Sequence, residues 1–299
     1  MKTWGEKAFA NAPLLLTLAA LFWAGNSVLA RGMHETIPPV ALAFTRWTFA
    51  TLIVLPFAWR HLHDDWPVLR TNWRIMAFLG LFGAASYNTL HYIGLNYTPA
   101  VNALVIGAST PLLVALVSFA AFGDRLTRME AVGIALALAG TLAVVSRGAP
   151  ATLMSANFNI GDLWIVAAIS AWAVYTAYLR RKPAIHWLSF AAVTYALASF
   201  YNLPLFLAEH FLDRQLRADL PTALAIIYVS IFPSVLAYIF FTRGVELIGG
   251  NRASVFIYLM PVFGALLSIA LLGETLQLYH IGGFGLIMAG VAIANHRAS

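Results

Sequence analysis

Polar side chains inside apolar runs are where this sequence can do chemistry, and the densest set is Ser86, Tyr87, Asn88, His91 and Tyr92. Tyr87 and His91 are four apart and Asn88 and His91 three apart, so on a helix they share one face. That face offers donors and acceptors without a fixed charge, which suits a zwitterion that needs partners at both its amino and its carboxylate end. The same groups can instead satisfy one another between packed helices. Trp172 and Tyr175 form a second face, and Tyr238 and Tyr258 add two phenols. Such rings stack on an aromatic or thioether ligand, or hold an ammonium by cation–π contact. The rival role, a belt at the membrane surface, fits Trp172 and Tyr175 poorly because they fall mid-run. Asn26 and Asn102 are further binding candidates. The chemistry these residues predict is reversible binding.

Bond-making chemistry finds no support. The chain has no cysteine, so it forms no disulfide, thiolate metal site or Cys nucleophile. None of Lys2, Lys7 and Lys182 follows a glycine, so the phosphate-binding loop of an ATPase is missing. An intramembrane aspartyl protease needs two carboxylates at depth, whereas Asp124, Glu246 and Glu274 fall at span ends. A hydrolase assembled from Ser109 and His91 lacks the nucleophile-elbow pattern, since Ser109 runs into Thr110-Pro111. The eight histidines are scattered, so no metal site and no cofactor are expected. His91 is the one mid-span group that ordinarily titrates near neutrality. With no carboxylate to carry a proton there, gradient-following transport is the first expectation and proton antiport the second. Arg46 is the sole cation deep in a span, with no acid at matching depth. It can cap carbonyls, snorkel outward or meet a substrate carboxylate; a structural role is the first expectation. Pro111 and Pro261 lie inside predicted spans, where each frees a carbonyl and bends the helix; they are candidate gating kinks.

The elements that must position these residues are membrane spans. The chain is 61% hydrophobic and 10% charged, with mean hydropathy +0.79, against about 25% charged residues in soluble domains. That leaves too little polar surface to cover a globule in water. An all-α polytopic membrane protein is predicted, with ten spans at 13–31, 38–58, 74–95, 100–122, 129–147, 161–181, 186–208, 222–244, 251–272 and 279–296. The net charge of +6 does not indicate nucleic acid, because the basic residues sit in short loops between spans. Of the 18 Lys and Arg, four (Arg31, Arg147, Arg214 and Arg217) fall on the side opposite the N-terminus, Arg46 lies within a span, and the other thirteen fall on the N-terminal side. The positive-inside rule then places both termini in the cytoplasm. The N-terminal stretch reads as a first helix rather than a removed signal.

Residues 94–140 and 244–290 align without a gap at a shift of 150, with 14 of 47 positions identical, among them Pro111/Pro261, Gly133/Gly283 and Gly140/Gly290. The chain is a tandem duplication, divided as 1–147, a linker at 148–160 on the far side, and 161–299. Five spans per copy is odd, so the second copy enters from the opposite side, giving two inverted five-helix repeats. The charges agree: Asp124-Arg125-Leu126 has as its counterpart Glu274-Thr275-Leu276, which lacks the arginine. Inverted repeats support alternating access around a midplane site.

Trp23-Ala24, Arg46, Pro111, Gly273-Glu274 and the two five-helix copies together resemble the drug/metabolite transporter superfamily, and within it the EamA-type exporters. The resemblance covers essentially the whole chain. It implies a ten-helix carrier of the bacterial inner membrane with a central cavity, exporting amino acids, aromatic and bulky apolar ones included, and related metabolites. It also implies that Tyr87 and Trp172 line that cavity. Where such amino-acid exporters carry an acid just after the tyrosine, this chain has Asn88. Carriage of drugs or quaternary ammonium ions is the alternative; it ordinarily wants an acid at depth. The duplicated chain already contains both halves, so a monomer in the bilayer is expected.

Overall fold

The computed structural model describes residues 11–124, 127–149, 159–248 and 255–295, and every element there is helical. In chain order these are α1 (Ala12–Gly32), α2 (Pro39–Thr71), α3 (Trp73–Leu79), α4 (Tyr87–Tyr97), α5 (Ala100–Gly107), α6 (Thr110–Phe122) and α7 (Arg128–Val145). The second half contributes α8 (Ile160–Tyr178), α9 (Trp187–Leu212), α10 (Leu220–Ile231), α11 (Ala237–Ile248), α12 (Leu259–Leu272) and α13 (Leu278–Asn295). Two π-helical segments, Gly80–Ser86 and Phe232–Leu236, join α3 to α4 and α10 to α11. The expected linker lies largely outside the described residues, as do the head of the ninth expected span with Arg252, and Arg125.

The helix ends follow from local sequence. Asn11, Asn159 and Asp219 cap α1, α8 and α10 by accepting from Leu14 N, Gly161 N and Thr222 N at 3.1, 2.8 and 2.9 Å. Gly123 and Gly273 end α6 and α12 with φ of 69° and 65°, the left-handed conformation a glycine takes without penalty. These two glycines are equivalent under the 150-residue shift.

Among the described residues, five helices are long and apolar enough to cross a membrane, or six if α5 and α6 form one span bent by 45°; three more apolar helices are shorter. Exposed Trp59, Trp66, Trp73 and Trp187 stand where α2, α3 and α9 reach the N-terminal side, as interfacial tryptophans do. The structure moves several expected boundaries. The second span is expected to end at residue 58, but α2 continues to Thr71, running through both Pro56 and Pro67. The seventh span, expected to end at 208, continues as α9 to Leu212.

Helix pairing follows the repeat. α13 lies along α7 and α9 along α2. α8 packs on α4 and α6, while the equivalent α1 packs on α11 and α12. At the α7–α13 contact, a Cβ on Gly140 would stand 2.6 Å from Gly283 O, and one on Gly290 would stand 2.5 Å from Gly133 O. Gly133/Gly283 and Gly140/Gly290 are the aligned pairs of the duplication, and each glycine touches the partner of the other pair. That exchange is what a two-fold relation between the halves requires.

Candidate substrate site

The π-helical segments set the centre of the bundle. Pro233 has no N–H to donate, and α10 accommodates it by widening the turn, with Ser234 Oγ donating to Val229 O at 2.7 Å. The other π segment delivers Tyr87 and Asn88 at its C-terminal end. Segments of this kind recur at functional sites in helices, and here they occupy nearly equivalent positions of the two halves.

Between them lies Arg46 of α2, 3% exposed. Its Nη1 donates to Asn88 Oδ1 at 2.8 Å, Tyr92 OH at 2.7 Å and Asn26 Oδ1 at 3.1 Å, while Nε donates to Ser234 Oγ at 2.7 Å. Tyr92 OH in turn donates a hydrogen bond to Asn26 Oδ1 at 2.6 Å. The guanidinium also lies 4.7 Å from the centre of the Trp47 ring. All its partners are neutral, and among the described residues no carboxylate pairs with it. Of the roles open to Arg46, capping backbone carbonyls is not the one observed.

Aromatic rings surround this knot. Tyr87 packs on His91 at 5.6 Å and on Trp172 at 4.9 Å, and Trp172 packs on Tyr175 at 5.0 Å. Tyr238 contacts Trp23 at 5.8 Å and Tyr195 at 6.2 Å, and Tyr195 contacts Trp47 at 4.8 Å. Tyr87, Trp172, Tyr175 and Tyr238 keep part of their surface accessible while facing other rings. Asn26, Tyr87, Asn88, His91, Trp172, Tyr175 and Tyr238 are therefore brought into one central cluster from both halves of the chain.

The remaining expected residues stand elsewhere. Tyr258 ends a short 3-10 turn, Val255–Tyr258, and packs against the main apolar core. Pro111 falls in the first turn of α6 and Pro261 early in α12, so neither interrupts an established α-helix. The bend before Pro111 is a break at residues 108–109, where the hydroxyls of Ser109 and Thr110 donate to Ile106 O and Gly107 O at 2.7 and 2.6 Å. Ser109 is thus turned to backbone, and His91 Nε2 instead shares a hydrogen bond with Ser27 Oγ at 2.9 Å. His91 Nδ1 is buried without a partner, so that Ser–His pair has no orienting acid.

A second polar cluster escaped the sequence reading. Asp162, fully buried in the first turn of α8, accepts from Thr98 Oγ1 at 2.5 Å and Asn102 Nδ2 at 3.2 Å, and His280 Nε2 donates to Asn102 Oδ1 at 2.6 Å. Asn102 thus belongs to this cluster rather than the central one. At the same end of the bundle Glu209 accepts from Val40 N and Ala41 N at 3.1 and 2.7 Å, and Glu274 from Ala100 N and Val101 N at 3.0 and 3.2 Å. Both carboxylates of the second half cap helices of the first that open on proline, α2 and α5. The sequence signal was available: a Pro-initiated helix without its own Ser, Thr, Asn or Asp cap needs an acceptor from elsewhere.

A helical membrane protein with a shielded polar centre shared between two equivalent halves is the class this geometry defines. The model of the EamA-like transporter family matches the chain twice, over residues 11–146 and 159–295, and the chain belongs to that family. It is 27% identical over 280 residues to an uncharacterized transporter of Archaeoglobus fulgidus, covering 93% of this chain and 95% of that one. It is 29% identical to the uncharacterized transporter YyaM of Bacillus subtilis, covering 76% and 74%. It is also 26% identical to a probable amino-acid metabolite efflux pump of Salmonella typhimurium, covering 93% of each chain. A crystal structure shares the fold with a TM-score of 0.61 at 21% identity, over 95% of this chain and 96% of the other. The protein is a multi-pass membrane transporter.

Proposed function

We propose that this transporter is a facilitative exporter of amino acids, aromatic and bulky apolar ones included, and of related metabolites. It works by alternating access between two inverted five-span repeats, 1–147 and 161–299, joined by the 148–160 linker. The observation that carries the reading is the central cluster. Polar and aromatic side chains from α1, α2, α4, α8 and α10–α11 converge where both halves meet, the place a midplane substrate occupies in inverted-repeat carriers. The pairing of helices, which maps onto itself under the 150-residue shift, supports the inverted arrangement. The name of the Salmonella relative supports the substrate class. Both termini face the cytoplasm of the bacterial cell, the plasma membrane is the site of action, and a single chain suffices.

The test is counterflow of labelled amino acids in liposomes holding the purified protein, with and without a pH gradient. Flux of phenylalanine or leucine without a gradient is the expected result. Flux of cationic dyes with no flux of any amino acid would replace this reading with drug efflux. Flux that requires a pH gradient and loses that requirement in His91→Ala would make the carrier a proton antiporter.

A further inference from the structure

We infer that Arg46 anchors the substrate by its carboxylate, so that the site selects monocarboxylates with an aromatic or bulky apolar body and does not require the ammonium. The inference rests on the transport reading above and narrows it.

Arg46 is a full positive charge, nearly completely buried, inside the membrane-spanning part of the chain. Taking it out of water carries a desolvation cost, which four neutral oxygens answer with charge-assisted hydrogen bonds but with no opposite charge. No carboxylate among the described residues offsets the charge. An ionisable group held this way within a membrane protein ordinarily serves function. The bonds also fix its orientation. Nε and Nη1 are committed to Ser234 and to Asn26, Asn88 and Tyr92, whereas Nη2 makes no hydrogen bond to a described residue. An arginine with one arm tied and one free is oriented for a carboxylate, the planar anion its geometry matches.

The surroundings describe the rest of the ligand. The Arg46 guanidinium lies 4.7 Å from the centre of the Trp47 ring and 6.0 Å from that of Tyr92, and Trp47 leads through Tyr195 to Tyr238, which places the charge beside the ring cluster. Those rings offer faces to an apolar or aromatic body. An ammonium finds cation–π contact and phenol oxygens there, but the arginine opposes a second positive charge nearby. A bare cation therefore meets a repulsion that a carboxylate does not.

The experiment compares three ligands that share a phenyl ring, namely phenylalanine, 3-phenylpropanoate and phenethylamine. They are scored as competitors of labelled phenylalanine counterflow and as stabilisers of the purified protein in a thermal shift. The carboxylate analogue is expected to match phenylalanine, with the amine weaker by at least about tenfold. Arg46→Gln is expected to erase that ratio, and Arg46→Lys to retain part of it. An amine that competes as well as the carboxylate, or a ratio unchanged in Arg46→Gln, overturns the inference. Should Arg46→Gln fail to fold, Arg46→Lys decides, because it keeps the charge and loses the planar fork: a lowered carboxylate-to-amine ratio supports the anchor, and an unchanged ratio overturns it. Phenylalanine flux without carboxylate selectivity removes this inference and leaves the amino-acid exporter standing. Stabilisation by 3-phenylpropanoate with no amino-acid flux does the opposite.

Discussion

Asn88 sets the charge of the centre, because its Oδ1 lies 2.8 Å from the Arg46 guanidinium where a carboxylate would neutralise it. Asn88→Asp changes almost no volume and turns a hydrogen bond from a charged donor to a neutral acceptor into a buried ion pair with the partner already in place. The added opposite charge strengthens that bond in a water-poor centre. The variant is expected to fold, with a melting temperature equal to or above that of the wild type, and to bind carboxylates at least about tenfold more weakly. Thermal unfolding with and without 3-phenylpropanoate measures both quantities, and undiminished ligand stabilisation would place the substrate away from Arg46. Seven members of the cluster were legible in the sequence because polar and aromatic residues inside apolar runs stand out by type. Ser27 and Ser234 were not, since a serine in a membrane helix ordinarily bonds its own backbone. The environment of Arg46 was also illegible, because its partners lie 20, 42, 46 and 188 residues away and only the packing brings them together.

At the scale of elements, α7 and α13 hold together through glycine. The Cβ that Gly140→Ala or Gly290→Ala would add falls within 2.6 Å of backbone oxygen on the facing helix, so the helices must part. Each substitution is expected to cost about 1–3 kcal/mol. Gly282 and Gly285 of α13 have open space where a Cβ would go. Alanine there is expected to be neutral or stabilising by up to about 1 kcal/mol, as it is in an ordinary helix. Unfolding in detergent distinguishes the two sets, and equal effects would refute the close α7–α13 contact. A second contrast concerns Glu274, whose two oxygens cap α5. Glu274→Ala is expected to cost about 1–2 kcal/mol, the usual penalty for losing a cap and a favourable helix-dipole charge, with Glu274→Gln recovering part through its one remaining oxygen. The helices themselves were readable from hydropathy, and these glycines from the duplication. The π segments, the break between α5 and α6 and the extension of α2 were not. Each depends on how the chain satisfies backbone groups under packing, which apolar periodicity does not encode.

The whole molecule carries a latch at each end; the shift of 150 relates their acids, and the arginines, Arg31 and Arg180, are 149 apart. Glu274 stands 3.9 Å from Arg31 Nε at one end, and Asp124, its equivalent, binds Arg180 at 2.6 and 3.2 Å at the other. The hydrogen bond from Arg180 holds the Asp124 carboxyl below its usual value of 3.8. A lowered carboxylate pKa means that the pair is intact above the ordinary value and is lost only as pH falls through the lowered one. Asp124 therefore stays ionised between about pH 5 and 8. Asp124→Asn is expected to change the transport rate but not the shape of its pH profile over that range; a changed shape would make Asp124 a titrating gate. Which latch faces the cytoplasm follows from topology, and the chain has no cysteine to obscure a labelling test. Glu35 and Arg217 are exposed at the Arg31 end, Thr71 and Lys182 at the Arg180 end. On the proposed topology, five spans per repeat with both termini inside, single cysteines at Glu35 and Arg217 are expected to react with a membrane-impermeant maleimide on right-side-out spheroplasts. Cysteines at Thr71 and Lys182 are expected to react only after permeabilisation. The reverse pattern would put the basic side outside, against the charge rule. Labelling of one residue from each pair would break the odd span count, and with it the inversion on which alternating access depends.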